Sequence, residues 1–335
     1  MEAVNKAANT VTDAAANAYN DVEAALSTAP PSDQYLAWNA TGVEHVKHAY
    51  RATHVKTQGI VKGTLTVLPN LPAHLQQGLF KTPGRSYDVA ARYSSEPVFL
   101  QADQEPGPRG LGLRIFGIEG ERLPSADQEA LTQDLFFNNA PMIELTDIET
   151  CLEIMQLREN APFMLPNTNM ISHSFYTQSA FRFGQWYGHI GLFPVNDEMT
   201  SKKEKVKSGD SRERLREWLA EYFREHGAKY ELKTQLGTDP SHHPTEDGSV
   251  VWDEATAPYQ TIATVEFPPQ DALSDERRTF WEDKMKLNPW NALAEHQLLG
   301  SINRLREIVY EMSRKKREQT NAVPTKMVNS VDEIP

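Results

Sequence analysis

The amino-acid sequence predicts an α+β fold, in which strands and helices occupy separate stretches of the chain. Strand-like patterns of period two fill the region from about residue 59 to residue 138, and they return after residue 230. Between about residues 146 and 227 the apolar spacing lengthens to 3.6 residues, and a long amphipathic helix ends the pattern. This order differs from the strict strand–helix alternation of a parallel sheet, and the sequence shows no internal repeat.

The early strands alternate apolar and polar residues or form short apolar runs, and Gly, Pro and Asn separate them. We predict four of them, at residues 59–68, 86–94, 110–117 and 131–137. Two later segments, at residues 230–236 and 261–267, have the same character and are also predicted strands.

The helices are marked by apolar residues on one face and by capping residues at their ends. Ser211 precedes a helix that Gly227 ends, and Ser274 caps a short second helix. The first helix has one face formed by Leu215, Trp218, Leu219, Tyr222 and His226. After a loop that holds Trp290, a final helix is predicted from residue 295 to about residue 319.

The chain divides into an N-terminal arm (residues 1–30), one central domain (residues 31–320) and a polar tail (residues 321–335) that we expect to fray. In the arm, apolar residues recur at spacings of four and three until Pro30-Pro31, which predicts an amphipathic helix. Such an arm packs on its own domain or on a second subunit, and we expect a dimer or larger homo-oligomer. A helix on a lipid surface is less favoured, because Ala buries little area and the polar face lacks Lys and Arg.

Composition excludes several classes of protein. The 335 residues include 34 Lys and Arg against 46 Asp and Glu, a net charge of -12, which argues against a nucleic-acid partner. No stretch approaches 18 consecutive apolar residues, so we expect no integral membrane contact. Cys151 is the only cysteine, which excludes an intrachain disulfide, a CxxC zinc site and a cysteine-ligated iron–sulfur cluster. Because no secretory signal opens the chain, we expect a cytoplasmic protein.

The final helix carries the first chemical clue. Arg306 and Tyr310 lie four residues apart and therefore on one helix face. A guanidinium one turn from a phenol stabilises the phenolate, and a phenolate is a hard anionic ligand for Fe(III). Because the usual pKa of Tyr is about 10, ionising it at neutral pH needs about 4 kcal/mol, which an Arg and a ferric ion can supply. Basic residues from Arg314 to Arg317 follow and suit anionic groups.

The second clue lies in the N-terminal half. His54 stands before a glycine-led strand, Ser94 ends the next strand and Asn138 follows the fourth. A neutral imidazole beside an amide can move the proton of a peroxide and polarise its O–O bond. A zinc site formed by His45, His48 and His54 is an alternative, disfavoured because no acidic or Cys fourth ligand has matching spacing.

These motifs, in this order, resemble those of the haem catalase superfamily over about residues 45–317. The resemblance rests on Arg51–His54, Arg92–Ser94, Pro108-Arg109-Gly110, Asn138–Pro141, and Arg306 with Tyr310 and Arg317. Thr53 stands where catalases usually have Val, and this residue and the segment 288–304 resemble the small catalase-like peroxidases and the catalase-related allene oxide synthases. Cys151 stands where the family has a Phe that stacks on the haem.

The resemblance implies an eight-stranded antiparallel β-barrel with surrounding helices. Haem b would be buried between this barrel and a long C-terminal haem-ligating helix. Tyr310 would be the axial phenolate ligand of the iron, and Arg306 its charge partner. On the opposite side of the haem, His54 would be the catalytic acid/base, assisted by the amide of Asn138.

The same resemblance makes Ser94 a hydrogen-bond partner of the distal imidazole, and the hydroxyl of Thr53 can hydrogen-bond it as well. The haem propionates would be held by Arg51, Arg92 and Arg317. We therefore expect an iron-dependent oxidoreductase that cleaves hydrogen peroxide or organic hydroperoxides, a catalase-related peroxidase. Two alternatives stay open: a fatty-acid hydroperoxide isomerase of the allene oxide synthase type, and a haem-binding protein without turnover.

Overall fold

The structure is a computed structural model that describes residues 48–51, 53–96, 100–143 and 167–335. The predicted N-terminal arm, His45 and Cys151 lie outside the described residues. The strands of its sheet are β1 (Lys56–Val67), β2 (Ser86–Ser95), β3 (Arg109–Phe116), β4 (Thr132–Asn138), β5 (Phe175–Tyr176), β6 (Phe181–Phe183), β7 (Trp186–Pro194), β8 (Ala228–Gly237) and β9 (Tyr259–Phe267).

The sheet closes into an eight-stranded antiparallel barrel, which confirms the predicted fold. Its strands follow the order β5-β4-β3-β2-β1-β9-β8-β7, and β5 also pairs with β7, which completes the ring. Strand β6 lies outside the ring and pairs with β7 as a hairpin. Closure pairs the two edges that an open sheet would leave free.

Alternation along β2, β3 and β4 separates the barrel interior from an outer face. The interior positions are apolar and join one hydrophobic cluster: Val89, Ala91, Tyr93, Leu111, Leu113, Ile115, Leu135 and Phe137. The outer positions include charged, polar, glycine and aromatic residues: Arg92, Ser94, Gly110, Gly112, Arg114, Asp134, Phe136 and Asn138. An outer face of this kind is available to build a site without disturbing the core.

Helices flank the barrel. They are α1 (Asp197–Thr200), α2 (Arg214–Glu225), α3 (Asp275–Thr279) and α4 (Ser301–Asn321), and a π-helical turn (Phe280–Lys284) directly follows α3. Helix α2 buries Leu215, Leu219 and Phe223 in the hydrophobic cluster of the barrel. As predicted, Ser274 caps α3, its hydroxyl accepting a hydrogen bond from the backbone N–H of Arg277 at 3.2 Å. Within the described ranges, no helix has both the length and the apolar character that crossing a membrane requires.

The helical pattern predicted for residues 146–227 is wrong between residues 175 and 194, where the chain forms β5, β6 and β7. Glycines interrupt the apolar alternation of β7 and hide its strand character. A Cβ at Gly188 would lie 2.5 Å from the carbonyl oxygen of Gln235 on β8, so close approach of the two strands requires the glycine.

Helix α4 begins at Ser301 and not at residue 295 as predicted. Gly300 has a φ of 86°, and a Cβ there would lie 2.1 Å from the carbonyl oxygen of Thr245. This backbone conformation interrupts the helix, and only a short 3₁₀ turn, Ala294–His296, precedes it.

The C-terminal tail packs against the domain, contrary to the predicted fraying. Val328 and Ile334 are buried in an apolar cluster that also contains Ile60 of β1 and Trp281 of the π-helical turn. The side chain of Ser330 caps a short 3₁₀ turn, Val331–Glu333. The few apolar residues of the tail are thus enough to anchor it.

Candidate active site on the outer face of the barrel

One row of the outer face brings together the three residues predicted to handle a peroxide proton. Gly110 of β3 lies in register with Ser94 of β2 and with Asn138 of β4. The imidazole of His54 lies on this glycine, because a Cβ there would be 2.3 Å from Cε1 and 2.5 Å from Nδ1 of the ring. Any side chain at Gly110 would displace the imidazole, so the glycine is required for this arrangement.

His54 is held at its backbone and at its ring. Its φ of 53° lies in the left-handed region, which few residues other than glycine adopt, and its N–H donates to the carbonyl oxygen of Glu96 at 2.8 Å. Nδ1 lies 3.1 Å from Oγ of Ser94. Burial, together with the charges of Arg92 and Arg306, lowers the pKa of His54 to about 3. The imidazole is therefore neutral at physiological pH and can accept a proton.

A carboxyl group that the sequence motifs did not indicate lies beside Asn138. The Nδ2 of Asn138 donates to Oε2 of Glu96 at 2.9 Å. The Oδ1 of Asn138 is buried and has no hydrogen-bond partner among the described residues. Burial raises the pKa of Glu96, whereas the hydrogen bond from Asn138 and the charge of Arg306 lower it. Only the place of Glu96 directly after β2, two residues beyond Ser94, could have pointed to it.

Three arginines, Arg51, Arg92 and Arg317, gather at the next part of this face. Burial, the largest cause, lowers the pKa of each of them, and it brings that of Arg92 to about 10. Arg317 further lowers the pKa of both Arg51 and Arg92, and Glu282 is a carboxylate that raises the pKa of all three. Nε of Arg317 has no hydrogen-bond partner in the described part of the chain. Asp283 and Glu318 also raise the pKa of Arg317, whereas Glu282 is the carboxylate that raises the pKa of Arg51 and Arg92. Around Arg51 and Arg92 positive charge therefore exceeds negative charge, as suits an anionic ligand.

The π-helical turn holds two of these arginines through its backbone. Arg51 donates from Nη2 to the carbonyl oxygen of Trp281 at 2.8 Å, and Arg317 donates to the carbonyl oxygen of Glu282. Sequence reasoning missed this turn, because a π-helical turn has no sequence signature of its own. Such turns are nevertheless frequent at functional sites.

Thr57 connects the third arginine to the carboxylate. Nε of Arg92 donates to Oγ1 of Thr57 at 2.7 Å, and this hydroxyl donates to Oε1 of Glu282 at 2.6 Å. Thr57 was also missed by sequence reasoning, since a threonine in a strand is ordinary. Its contacts with Arg92 and Glu282 fix the guanidinium in place.

Helix α4 presents the predicted phenol and guanidinium to the same face. Cζ of Arg306 lies 5.8 Å from the ring centre of Tyr310, and the ring of Phe136 on β4 meets the phenol edge to face with ring centres 5.3 Å apart. Nη1 of Arg306 donates to Oδ1 of buried Asn303 at 3.3 Å, and Nδ2 of Asn303 donates to the carbonyl oxygen of Ala180 at 2.9 Å. Asn303, another residue missed in the sequence, thus holds the guanidinium.

Tyr310 also lies near the arginine cluster. Burial is the main cause that lowers the pKa of Arg51 and of Arg92, and Tyr310 is among the groups that raise it. Between β4 and α4, a cavity of about 390 Å³, partly open to solvent, is lined by residues that include Phe136, Asn303 and Arg306. The phenol, the guanidiniums and the imidazole therefore belong to one region of the molecule.

The predicted contact between Thr53 and His54 is absent from the described site. Thr53 is exposed, and among the described residues its hydroxyl makes no hydrogen bond to His54, whose Nδ1 lies beside Ser94 instead. Nε2 of His48 lies 3.2 Å from a carboxylate oxygen of Asp283. In the described ranges, no group of three or more His, Cys, Asp or Glu side chains is arranged to hold a metal ion.

Comparison with known proteins identifies the fold. No family model and no curated protein sequence matches the chain. Three solved structures, each 13% identical in sequence, match over most of it. A fungal catalase covers 81% of the chain with a TM-score of 0.60, a bacterial catalase covers 85% with 0.61, and catalase A from Saccharomyces cerevisiae covers 81% with 0.59. The chain spans only 59%, 61% and 61%, respectively, of those proteins. The protein has the catalase fold.

Proposed function

We propose that the protein is a haem b-dependent oxidoreductase that cleaves hydroperoxides, a catalase-related peroxidase acting on H2O2 or organic hydroperoxides. The observation that carries the proposal is the juxtaposition of a neutral imidazole, His54, and the amide of Asn138 on the outer face of the barrel. The same face carries the arginine cluster and contacts the helix of Tyr310. This combination supports a proton-transfer site beside a large anionic ligand.

The residues present fit haem b in shape and in charge. At Gly112, which lies in register with Arg92 and Phe136, the nearest atom to an added Cβ is in the ring of Phe136, at 3.7 Å. The lack of a side chain at Gly112 leaves space beside the ring of Phe136, as a flat macrocycle requires. The excess positive charge around Arg51 and Arg92 and the unpartnered Nε of Arg317 suit its two propionates.

Different residues of the chain would bind different parts of the haem. Tyr310 would ligate the iron, and Arg306 would be the charge partner of this ligand. The propionates would be held by Arg51, Arg92 and Arg317. When bound, ferric haem supplies a redox-active centre at which the O–O bond of a hydroperoxide can be cleaved.

His54 would carry the proton. The Ser94 hydroxyl donates to the carbonyl oxygen of Gly110 at 3.5 Å, so it can accept a hydrogen bond from Nδ1–H of the imidazole. This assignment leaves Nε2 unprotonated, and Nε2 is then the atom that takes the proton of the hydroperoxide and returns it to the leaving oxygen. The amide of Asn138 would hold the hydroperoxide beside the imidazole.

The proposal is tested by His54→Ala in the full-length protein after reconstitution with haem. We expect the variant to retain haem and to consume hydroperoxide about 100- to 10,000-fold more slowly, because general acid–base catalysis by one positioned side chain contributes that much. The matched control is Ser94→Ala, which keeps the imidazole and should lose less activity. Substrate loss and products are measured with H2O2, cumene hydroperoxide and a polyunsaturated fatty-acid hydroperoxide.

Each alternative has its own signature in this experiment. Equal consumption by the wild-type protein and by His54→Ala would contradict the proposal. A rearranged, non-reduced fatty-acid product formed without an electron donor would identify an isomerase instead. Stable haem binding without consumption of any of the three substrates would identify a haem-binding protein without turnover.

A further inference from the structure

Glu96 is fixed between the segments that precede β1 and β3. Its carbonyl oxygen accepts the N–H of His54 at 2.8 Å, and its own N–H donates to the carbonyl oxygen of Pro108, just before β3, at 3.1 Å. These two backbone bonds determine where the side chain begins. Glu96 is the first residue after the end of β2. From there its side chain reaches Asn138, whose Nδ2 donates to Oε2 of Glu96 at 2.9 Å.

The amide of Asn138 has two chemically different ends, and Glu96 binds one of them. Nδ2 is a donor and Oδ1 an acceptor. In the structure Nδ2 is taken by the carboxylate, and Oδ1 is left buried without a partner among the described residues. A buried carbonyl without a partner is costly, so it favours a ligand that donates a hydrogen bond to it.

Protonation of the carboxyl would reverse this arrangement. An ionised carboxylate can only accept, so it binds Nδ2 and leaves Oδ1 for the ligand. A protonated carboxyl can donate to Oδ1, which turns the amide over and leaves Nδ2 for the ligand. Oδ1 accepts the O–H of an intact hydroperoxide, whereas Nδ2 stabilises negative charge on an oxygen as the O–O bond breaks.

The surroundings of Glu96 allow both protonation states. Burial raises the pKa of Glu96 from its ordinary value, and the hydrogen bond from Asn138 and the charge of Arg306 oppose that rise. The neighbouring His54 is neutral and contributes no charge at physiological pH. The carboxyl group can therefore change its charge at a pH at which His54 is still a base.

From this geometry we propose that Glu96 is a positioning residue of the hydroperoxide site, which sets whether the donor or the acceptor end of the Asn138 amide faces the substrate. The proposal rests on the proposed function, because it concerns the same site. Glu96 would then be a titratable group that acts beside His54 and Asn138. The rate of hydroperoxide cleavage should be higher when Glu96 is protonated.

The contact itself can be tested without haem. In the full-length haem-free protein, the side-chain amide NMR signals of Asn138 are assigned by their loss in Asn138→Ala. We expect these signals to shift with pH in the wild-type protein, with a midpoint above the ordinary glutamate range, and to stay constant over that range in Glu96→Gln. Glu96→Asp, which keeps a carboxyl, should restore a titration. Signals that do not titrate in the wild-type protein, or that titrate equally in Glu96→Gln, would overturn the proposal.

The effect on the reaction is then measured in the haem-loaded protein. Peroxide consumption by the wild-type protein should fall about 2- to 10-fold as Glu96 ionises, the change expected when one hydrogen bond is altered. Glu96→Gln should show a rate between the two wild-type plateaus and lack this inflection, since a neutral amide pairs with either end of Asn138. An inflection that persists unchanged in Glu96→Gln would overturn the positioning role. Absence of peroxide consumption, with the NMR titration present, would refute the proposed function and leave the Glu96–Asn138 contact standing.

Discussion

Buried arginines occur in two different settings on the outer face of the barrel. Arg114 of β3 is completely buried and forms a bidentate pair with Asp134 of β4, with both N–O distances at 2.7 Å. Two positions away along the strand, Gly112 lies in register with Arg92, whose cluster shares Glu282 among three guanidiniums. Arg114 thus has its own carboxylate, whereas Arg51 and Arg92 share Glu282 with Arg317, whose pKa Asp283 and Glu318 also raise. A buried cation without its own carboxylate, such as Arg92, is therefore the kind for which we propose an anionic ligand.

The largest effect on folding should come from breaking the complete pair. Arg114→Ala leaves the Asp134 carboxylate buried and uncompensated, and we expect the free energy of unfolding to fall by about 3–5 kcal/mol. Urea denaturation of the haem-free protein measures it. As a control, Arg114→Met combined with Asp134→Leu should recover much of the loss, because apolar replacement of both partners removes the unpaired charge. A loss below about 1 kcal/mol in the single variant would contradict this view of the pair.

The arginine cluster should respond in the opposite way. Arg317→Gln removes a guanidinium whose pKa burial lowers, so we expect the free energy of unfolding of the haem-free protein to change by less than about 1 kcal/mol. Haem affinity, followed by titration of the Soret absorbance, should fall about tenfold or more, as for loss of a charge-assisted hydrogen bond. Tyr310→Phe is the matched variant that keeps all three guanidiniums and removes the proposed iron ligand, and it should weaken haem binding further. Destabilisation of haem-free Arg317→Gln as severe as that of Arg114→Ala would erase the distinction between the two settings.

Protonation of His54 at acidic pH should lower the free energy of unfolding. Burial, with Arg92 and Arg306, lowers the pKa of folded His54 to about 3, whereas an unfolded histidine has a pKa of about 6.5. The folded state therefore binds fewer protons than the unfolded state between these values, and stability decreases as the pH falls from about 6.5 towards 3. Buried His296, with a pKa lowered to about 4 by burial, acts in the same direction.

The measurement is the unfolding free energy of the haem-free protein at several pH values. His54→Gln should have a shallower dependence on pH than the wild-type protein, and His296→Gln serves as a comparison at a second buried histidine. Identical slopes for the wild-type protein and His54→Gln would show that His54 is not held neutral by the fold.

The smallest effect should come from Thr53→Val. Because Thr53 is exposed and Ser94 lies beside Nδ1 of His54, removing the hydroxyl should change H2O2 consumption by less than about twofold. Initial rates at one pH suffice to measure it. A large increase would show that the hydroxyl restrains the imidazole after all.

Sequence reasoning predicted the parts of the molecule that depend on local pattern. Strands β1 to β4, β8 and β9 follow from apolar alternation and turn residues, and the placement of Arg306 and Tyr310 on one face follows from helix geometry. The hairpin of β6 and β7 was not predicted. Gly188, which the close approach of β8 requires, interrupts the apolar alternation of β7. His54, Ser94 and Asn138 were expected in one site because their motifs resemble those of the haem catalases, and the structure brings them together.

The supporting residues of the site could not be predicted in this way. Glu96, Thr57 and Asn303 are defined by partners far away in the sequence, and none of them stands in a local pattern that marks such a role. The acceptors in the π-helical turn are backbone carbonyl oxygens, which every residue type has, so the sequence does not indicate them. Register between strands and the path of loops, which three-dimensional packing decides, determine these contacts.

The C-terminal end of the chain supports the haem-binding region that we propose. Val328 and Ile334 pack beside the indole of Trp281, and the carbonyl oxygen of that same residue receives Arg51. Removing the chain from Val328 onwards would expose the indole to water and withdraw the support of a turn on which two guanidiniums depend. In this way, residues that do not contact the ligand would affect the affinity with which it is bound.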